Sequence, residues 1–114
     1  MGEDVSFGSI GGYLTGDGPG AVVVLHEWDG LTPHIRDVAD RVAAAGFTAL
    51  AADLYDGASA EPGDDVEAGR LQGRILRVPD AAAARIASGV AALRERGHTK
   101  VAVLGFCTGA SLSL

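Results

Sequence analysis

Three features of this 114-residue sequence predict an α/β fold with a mostly parallel sheet. Residues 21–25 (AVVVL) and 100–106 (KVAVLGF) are almost wholly apolar and valine-rich, as strands buried on both faces are. Segments with a helical period, bounded by start and stop signals, separate such runs. From residue 20 the order is strand, helix, strand, helices, strand, helix. Repeated βα units imply parallel pairing through right-handed crossovers.

The first part of the chain is Gly-rich. Residues 4–7 and 12–15 read as two short strands joined through the Gly8-Ser9 and Gly11-Gly12 region. Gly16-Asp17-Gly18-Pro19-Gly20 is a strong turn, and residues 21–25 form the first buried-type strand. Thr32 and Pro33 open a helix, Thr32 as N-cap and Pro33 at the first helical position. Leu31, Ile35, Val38, Val42 and Ala45 follow at steps of 4, 3, 4 and 3, which makes one apolar stripe. Arg36–Asp40 and Asp37–Arg41 are i,i+4 pairs on the wet face, and Gly46 stands where a C′ residue belongs. Residues 47–52 (FTALAA) are the next strand, followed by a polar loop over 53–63. Asp64 with Glu67 resembles a capping box and predicts a helix over 65–77, although Gly69 and Gly73 each cost about 1 kcal/mol in a helix interior. Residues 80–96 form a second helix, with Ile86, Val90 and Leu93 on one face and Gly97 as its stop. Residues 100–106 are another buried-type strand, and residues 108–114 read as the first turns of a helix.

Composition narrows the function classes. The length allows one domain at most, and 47% hydrophobic residues exclude global disorder. A net charge of −6 argues against nucleic acid or an anionic membrane as the main partner. The start MGEDVSF lacks the apolar stretch of a secretory signal. The longest uncharged run, residues 101–114, is too short and too polar to span a membrane. One cysteine excludes an intrachain disulfide and fits a reducing compartment, so a cytoplasmic protein is expected. There is no zinc-type Cys/His spacing.

Two loops carry chemistry. Gly105-Phe106-Cys107-Thr108-Gly109 stands at a strand-to-helix junction and has the G-x-nucleophile-x-G form. Such a turn is tight, and its glycines let backbones pass closely. The thiol of Cys107 then projects beside a helix N-terminus, which favours a thiolate. The Thr108 amide can face a developing oxyanion. The plainer alternative is a buried structural cysteine. His26-Glu27-Trp28-Asp29-Gly30 follows the other apolar strand, and ligands in open α/β sheets bind outside the carboxyl ends of strands. The Trp28 N–H can supply a second oxyanion donor. Glu27 can contact the thiol, and its charge would raise the Cys107 pKa by like-charge repulsion. The alternative here is a solvated acidic loop with Trp28 packed into the core. Asp53 also ends a strand at this rim, with a turn residue as the simpler reading. His26, Glu27, Asp29 and His34 lack a metal-type spacing, and His98 reads as a surface residue near a helix C-terminus.

VVVLHEWDGLTPHIRDVADRVAAAGFTALAADLYDG, followed at a distance by VAVLGFCTG, resembles the dienelactone hydrolase family, of the α/β-hydrolase fold. The resemblance covers nearly the whole chain, best over 21–57 and 99–110. It implies a three-layer fold and hydrolysis of cyclic enol-lactones or related small esters, as in carboxymethylenebutenolidases. It implies Cys107 as nucleophile, Glu27 as the carboxylate that holds the resting thiol, Trp28 and Thr108 as oxyanion amides, and no metal or organic cofactor. The family's triad adds an Asp and a His on loops well after the elbow helix. This sequence runs seven residues past Cys107, and His26, His34 and His98 all precede it. Residues 1–114 are therefore expected to form the N-terminal part of one domain, truncated after the elbow. General-base assistance is worth about 10²–10⁴-fold, so poor turnover is expected without it. An apolar strand left at a sheet edge predicts marginal stability, self-association or pairing with a complementing chain. The competing expectations are a catalytically incomplete remnant or split subunit that binds ligand or partner without turnover, and a redox thiol that has no resolving cysteine.

Overall fold

The computed structural model describes residues 2–7 and 10–105. Cys107, Thr108 and the helix expected over 108–114 lie outside the described residues. The strands are β1 (Glu3–Phe7), β2 (Ile10–Thr15), β3 (Gly20–Leu25), β4 (Phe47–Ala52) and β5 (Val101–Gly105). The helices are α1 (Pro33–Ala44), α2 (Asp65–Arg77) and α3 (Pro79–Glu95).

The strands form one sheet in the order β1-β2-β4-β3-β5. β1 with β2 and β2 with β4 pair antiparallel, whereas β3 pairs parallel with both β4 and β5. β2 alone therefore runs against the other four. The crossover from β3 to β4 steps one way across the sheet, and that from β4 to β5 steps back past β3. Their helices cover opposite faces, so the two crossovers share one hand.

The period of two along each strand divides the core. Ala21, Val23 and Leu25 of β3 join Leu50 and Ala52 of β4 beneath α2 and α3, where Ala68, Leu71, Ile75, Ala82 and Leu93 pack. Val22 and Val24, with Ala49 and Ala51, face α1 and its Ile35, Ala39, Val38 and Val42. Because β3 and β4 bury both faces, their sequences read as continuous apolar runs. The result is a helix–sheet–helix sandwich.

Helix ends follow local chemistry. Asp64 caps α2 by accepting the Glu67 N–H at 3.1 Å. Glu67 does not reciprocate as a full capping box would. It pairs with Arg70, and that hydrogen bond holds its carboxyl below the usual range. α3 ends in a Schellman arrangement: Gly97 N–H reaches Arg94 O, His98 N–H reaches Leu93 O, and Gly97 takes φ +97°.

Thr32 is the N-cap of α1 as expected, its carbonyl accepting the Arg36 N–H at 3.1 Å, although its side chain makes no cap hydrogen bond. Three expectations need correction. Ala45, the last residue of the expected stripe, is exposed. Asp37–Arg41 forms at 3.0 Å, but Arg36–Asp40 does not. Arg36 lies over the Tyr13 ring and pairs with Asp4 of β1, while Asp40 accepts from the Tyr13 hydroxyl at 2.9 Å. The sheet supplies both members with better-placed partners. Finally, β5 is covered on one face only: Val101 and Val103 pack on the α3 side, whereas Leu104 is 40% exposed on the other. Among the described residues β5 is a sheet edge, as expected of this strand.

Candidate active site at the carboxyl ends of the strands

The parallel register aligns three strand ends. Leu25, the last residue of β3, stands opposite Ala52 of β4 on one side and Gly105 of β5 on the other. The loop beginning at His26, the loop beginning at Asp53 and the segment after Gly105 therefore leave the same rim.

His26 fastens the first two. It is 1% exposed, and its Nε2 accepts the Leu54 N–H at 3.0 Å. An acceptor Nε2 carries no proton, so Nδ1 is protonated and donates to Glu27 O at 2.8 Å. Burial pushes the imidazole below its ordinary pKa, partly offset by its bond to Glu27 O and the charges of Asp53 and Asp29. Both ring nitrogens are committed, so His26 serves as a latch between loops. Its ring also meets that of Tyr55, with centroids 4.7 Å apart.

Asp53 organises the second loop. Its carboxylate accepts the Tyr55 N–H at 2.8 Å and the Gly57 N–H at 2.6 Å. That is the turn-forming role which Asp residues commonly fill. Gly30 then brings the two loops into contact. It bridges to Ser59 in antiparallel fashion, and Ala60 N–H reaches Asp29 O at 2.8 Å. Gly30 has φ +101°, and a Cβ there would lie 2.9 Å from Ala58 O, so glycine is required.

On this scaffold Glu27 is half-buried, with an oxygen 3.7 Å from His34 Nε2. Trp28 packs its side chain against the core on the α3 face. Among the described residues, the loop's backbone hydrogen bonds do not use the Trp28 N–H. The Glu27 carboxylate and the Trp28 amide therefore share the rim beside the end of β5. Cys107 and Thr108 lie outside the described residues. His98 sits at the far end of the sheet, where its Nδ1 is 3.0 Å from Pro19 O. The sequence reading missed the His26 latch and any role for Tyr55. The latch partner is 28 residues away, and neither residue belongs to a local pattern that signals it.

Comparison with known proteins bears on this arrangement. Residues 11–114 match the dienelactone hydrolase family. Protein usf of Aquifex pyrophilus is 38% identical over 128 aligned positions, covering 100% of this chain and 54% of the relative. A provisional carboxymethylenebutenolidase of Aquifex aeolicus is 35% identical with the same coverages. The chain thus spans about half the length of these relatives. Among solved structures, a dienelactone hydrolase-like promiscuous phosphotriesterase from metagenomic libraries superposes with a TM-score of 0.83 at 25% identity, over 99% of this chain and 52% of the other.

Proposed function

Because this chain belongs to the dienelactone hydrolase family, we propose that it carries one part of a site that hydrolyses a lactone or carboxylic ester of a small molecule, with Cys107 as the nucleophile. The observation that supports this most is the register of β3 with β5. Leu25 stands opposite Gly105, so Glu27 and Trp28 leave the rim beside the strand that leads to Cys107. In the resting state the Glu27 carboxylate disfavours the thiolate by like-charge repulsion. Substrate binding turns Glu27 aside and frees the thiolate. The sulfur attacks the carbonyl carbon, and the Trp28 and Thr108 amides receive the charge on the carbonyl oxygen. The C–O bond to the leaving group breaks, and the departing oxygen takes the proton the thiol gave up. Water then attacks the thioester, releases the acid and restores the thiol. No metal or organic cofactor enters this scheme.

A second reading is acylation of Cys107 without turnover, as in a catalytically incomplete remnant or split subunit. One experiment separates the two. The protein and its Cys107→Ala variant are mixed with p-nitrophenyl acetate, and nitrophenol release is followed. The hydrolase reading expects a burst and then steady turnover, both lost in the variant. A burst of one equivalent that then stops favours the second reading. Equal rates in protein and variant remove Cys107 from the mechanism. Placement in the cytoplasm belongs to the same proposal. Among the described residues, no helix is long and apolar enough to cross a membrane.

A further inference from the structure

The outer face of α2 is apolar where a solvated helix face is usually charged. Ala68, Leu71 and Ile75 are the buried residues of this helix. On the opposite face stand Val66, 86% exposed, and Leu76, 52% exposed. Of the five large hydrophobic residues exposed among the described ones, three (Val66, Leu76 and Val78) belong to α2 or its C-cap. Gly69 and Gly73 lie between Val66 and Leu76 on that face.

The fold does not require either glycine. Neither takes a positive φ. Among the described residues, a Cβ at Gly69 would meet nothing within 4 Å, and one at Gly73 would meet the Arg77 guanidinium at 3.5 Å, an ordinary contact. Glycine weakens a helix interior, and its advantage there is to let another backbone approach closely. No other backbone of the described residues does so at these two positions.

Charge supplies an independent observation. α2 carries Asp65 and Glu67 in its first turn and Arg74 and Arg77 in its last. The whole face is self-complementary. Val66 and Leu76 are equidistant from Leu71, as are Gly69 and Gly73, and Asp65 and Arg77. An antiparallel copy therefore meets each apolar residue with an apolar one, each glycine with a glycine and each charge with its opposite.

We infer that the outer face of α2 docks on the same face of a second copy of this chain, antiparallel, about a two-fold axis level with Leu71. Such a contact is isologous, so every pairing occurs twice. The glycines let the helix axes approach, and Val66 and Leu76 leave water against each other. Arg77, whose Nε donates to Gly73 O at 3.1 Å, turns to Asp65 of the second copy and exchanges a neutral acceptor for a charged one. Opposed helix dipoles add to the attraction. One helix face is small beside the roughly 800 Å² per partner of a standard interface, so the pair is weak and exchanges. The contact is separate from the β5 edge and does not depend on the hydrolase reading.

The test is cross-linking of the full chain with Cys107→Ala, which leaves each introduced thiol as the sole one. Val66→Cys and Leu76→Cys are made as separate proteins, mixed, and oxidised with diamide, and the linked products are separated by intact mass. The mixed disulfide should predominate. Like positions would lie about 15 Å apart along the helices, beyond the reach of a disulfide. Gly69→Leu/Gly73→Leu in both proteins should abolish the preference, and because leucine favours helix the thermal midpoint should hold or rise. Asp65→Asn should lower the mixed product about threefold, the effect of exposed ion pairs. Absence of cross-links, products in the statistical ratio of random encounter, or a majority of like-with-like links overturns the inference. So does a preference that survives the leucine pair or Asp65→Asn, or a midpoint that falls with the leucine pair, which would give the glycines to the fold itself.

Discussion

Replacing His26 with leucine tests the latch that holds the rim together. The substitution removes the acceptor of the Leu54 N–H, and Leu54 is itself buried. Leaving this buried amide without its acceptor costs about 1–3 kcal/mol. The Glu27 carbonyl suffers less, because it also accepts the Gly30 N–H at 3.2 Å. The ring contact with Tyr55 adds about 0.5 kcal/mol. The sum is about 2.5 kcal/mol, a large part of the stability of a domain this size. Urea unfolding followed by circular dichroism should show a lower midpoint at unchanged slope, and the thermal midpoint should fall by about 10 °C. A variant within about 0.5 kcal/mol of the parent, the range of an ordinary surface change, would refute the latch. The pH dependence gives a second reading of the same group. Burial lowers the folded pKa of His26 from its ordinary 6.5. Between those two values the unfolded chain binds a proton that the native state refuses. Stability from this group is therefore complete above pH 6.5 and is lost as pH falls to the folded pKa. That part of the slope should vanish in His26→Leu.

Three further outcomes follow from the same geometry. Gly30→Ala forces a side chain into φ +101° and against Ala58 O, and should cost about 1–3 kcal/mol in urea unfolding; a neutral result contradicts the close approach of the two loops. Glu27→Gln removes the charge proposed to restrain the thiol, so alkylation of Cys107 by iodoacetamide at pH 7 should quicken about fivefold, and an unchanged or slower rate counts against Glu27 as the restraint. The half-bare β5, with Leu104 exposed, should make the chain self-associate as concentration rises in sedimentation velocity. Leu104→Lys should reverse this, and a monomer throughout the micromolar range contradicts it.

The sequence was most informative where local chemistry decides structure. β4 and α2 have the bounds that their apolar run and Asp64 cap predict. β2 begins two residues earlier than its side chains suggest, because glycine weakens the strand signal. Gly12 is needed there: a Cβ would lie 2.8 Å from Ala51 O of the neighbouring strand. Arg36 and Asp40 sit at the right spacing but find partners in the sheet, which no helix rule contains. β5 reads as buried on both faces by composition, yet only its α3 side is covered among the described residues. At the rim, the place of Glu27 and Trp28 after an apolar strand was legible. The His26–Leu54 bond was not, since it depends on the register of β3 against β4.

The most direct test of the central claim is where an activated ester leaves its acyl group. The protein is treated briefly with p-nitrophenyl acetate, and the product is mapped by peptide mass spectrometry. The account predicts one acetyl group per chain, on Cys107, formed faster than on a free cysteine thiol at the same pH and slower when the thiol is blocked beforehand. Acetylation scattered over Lys100 and the N-terminus, with Cys107 unmodified, would contradict it.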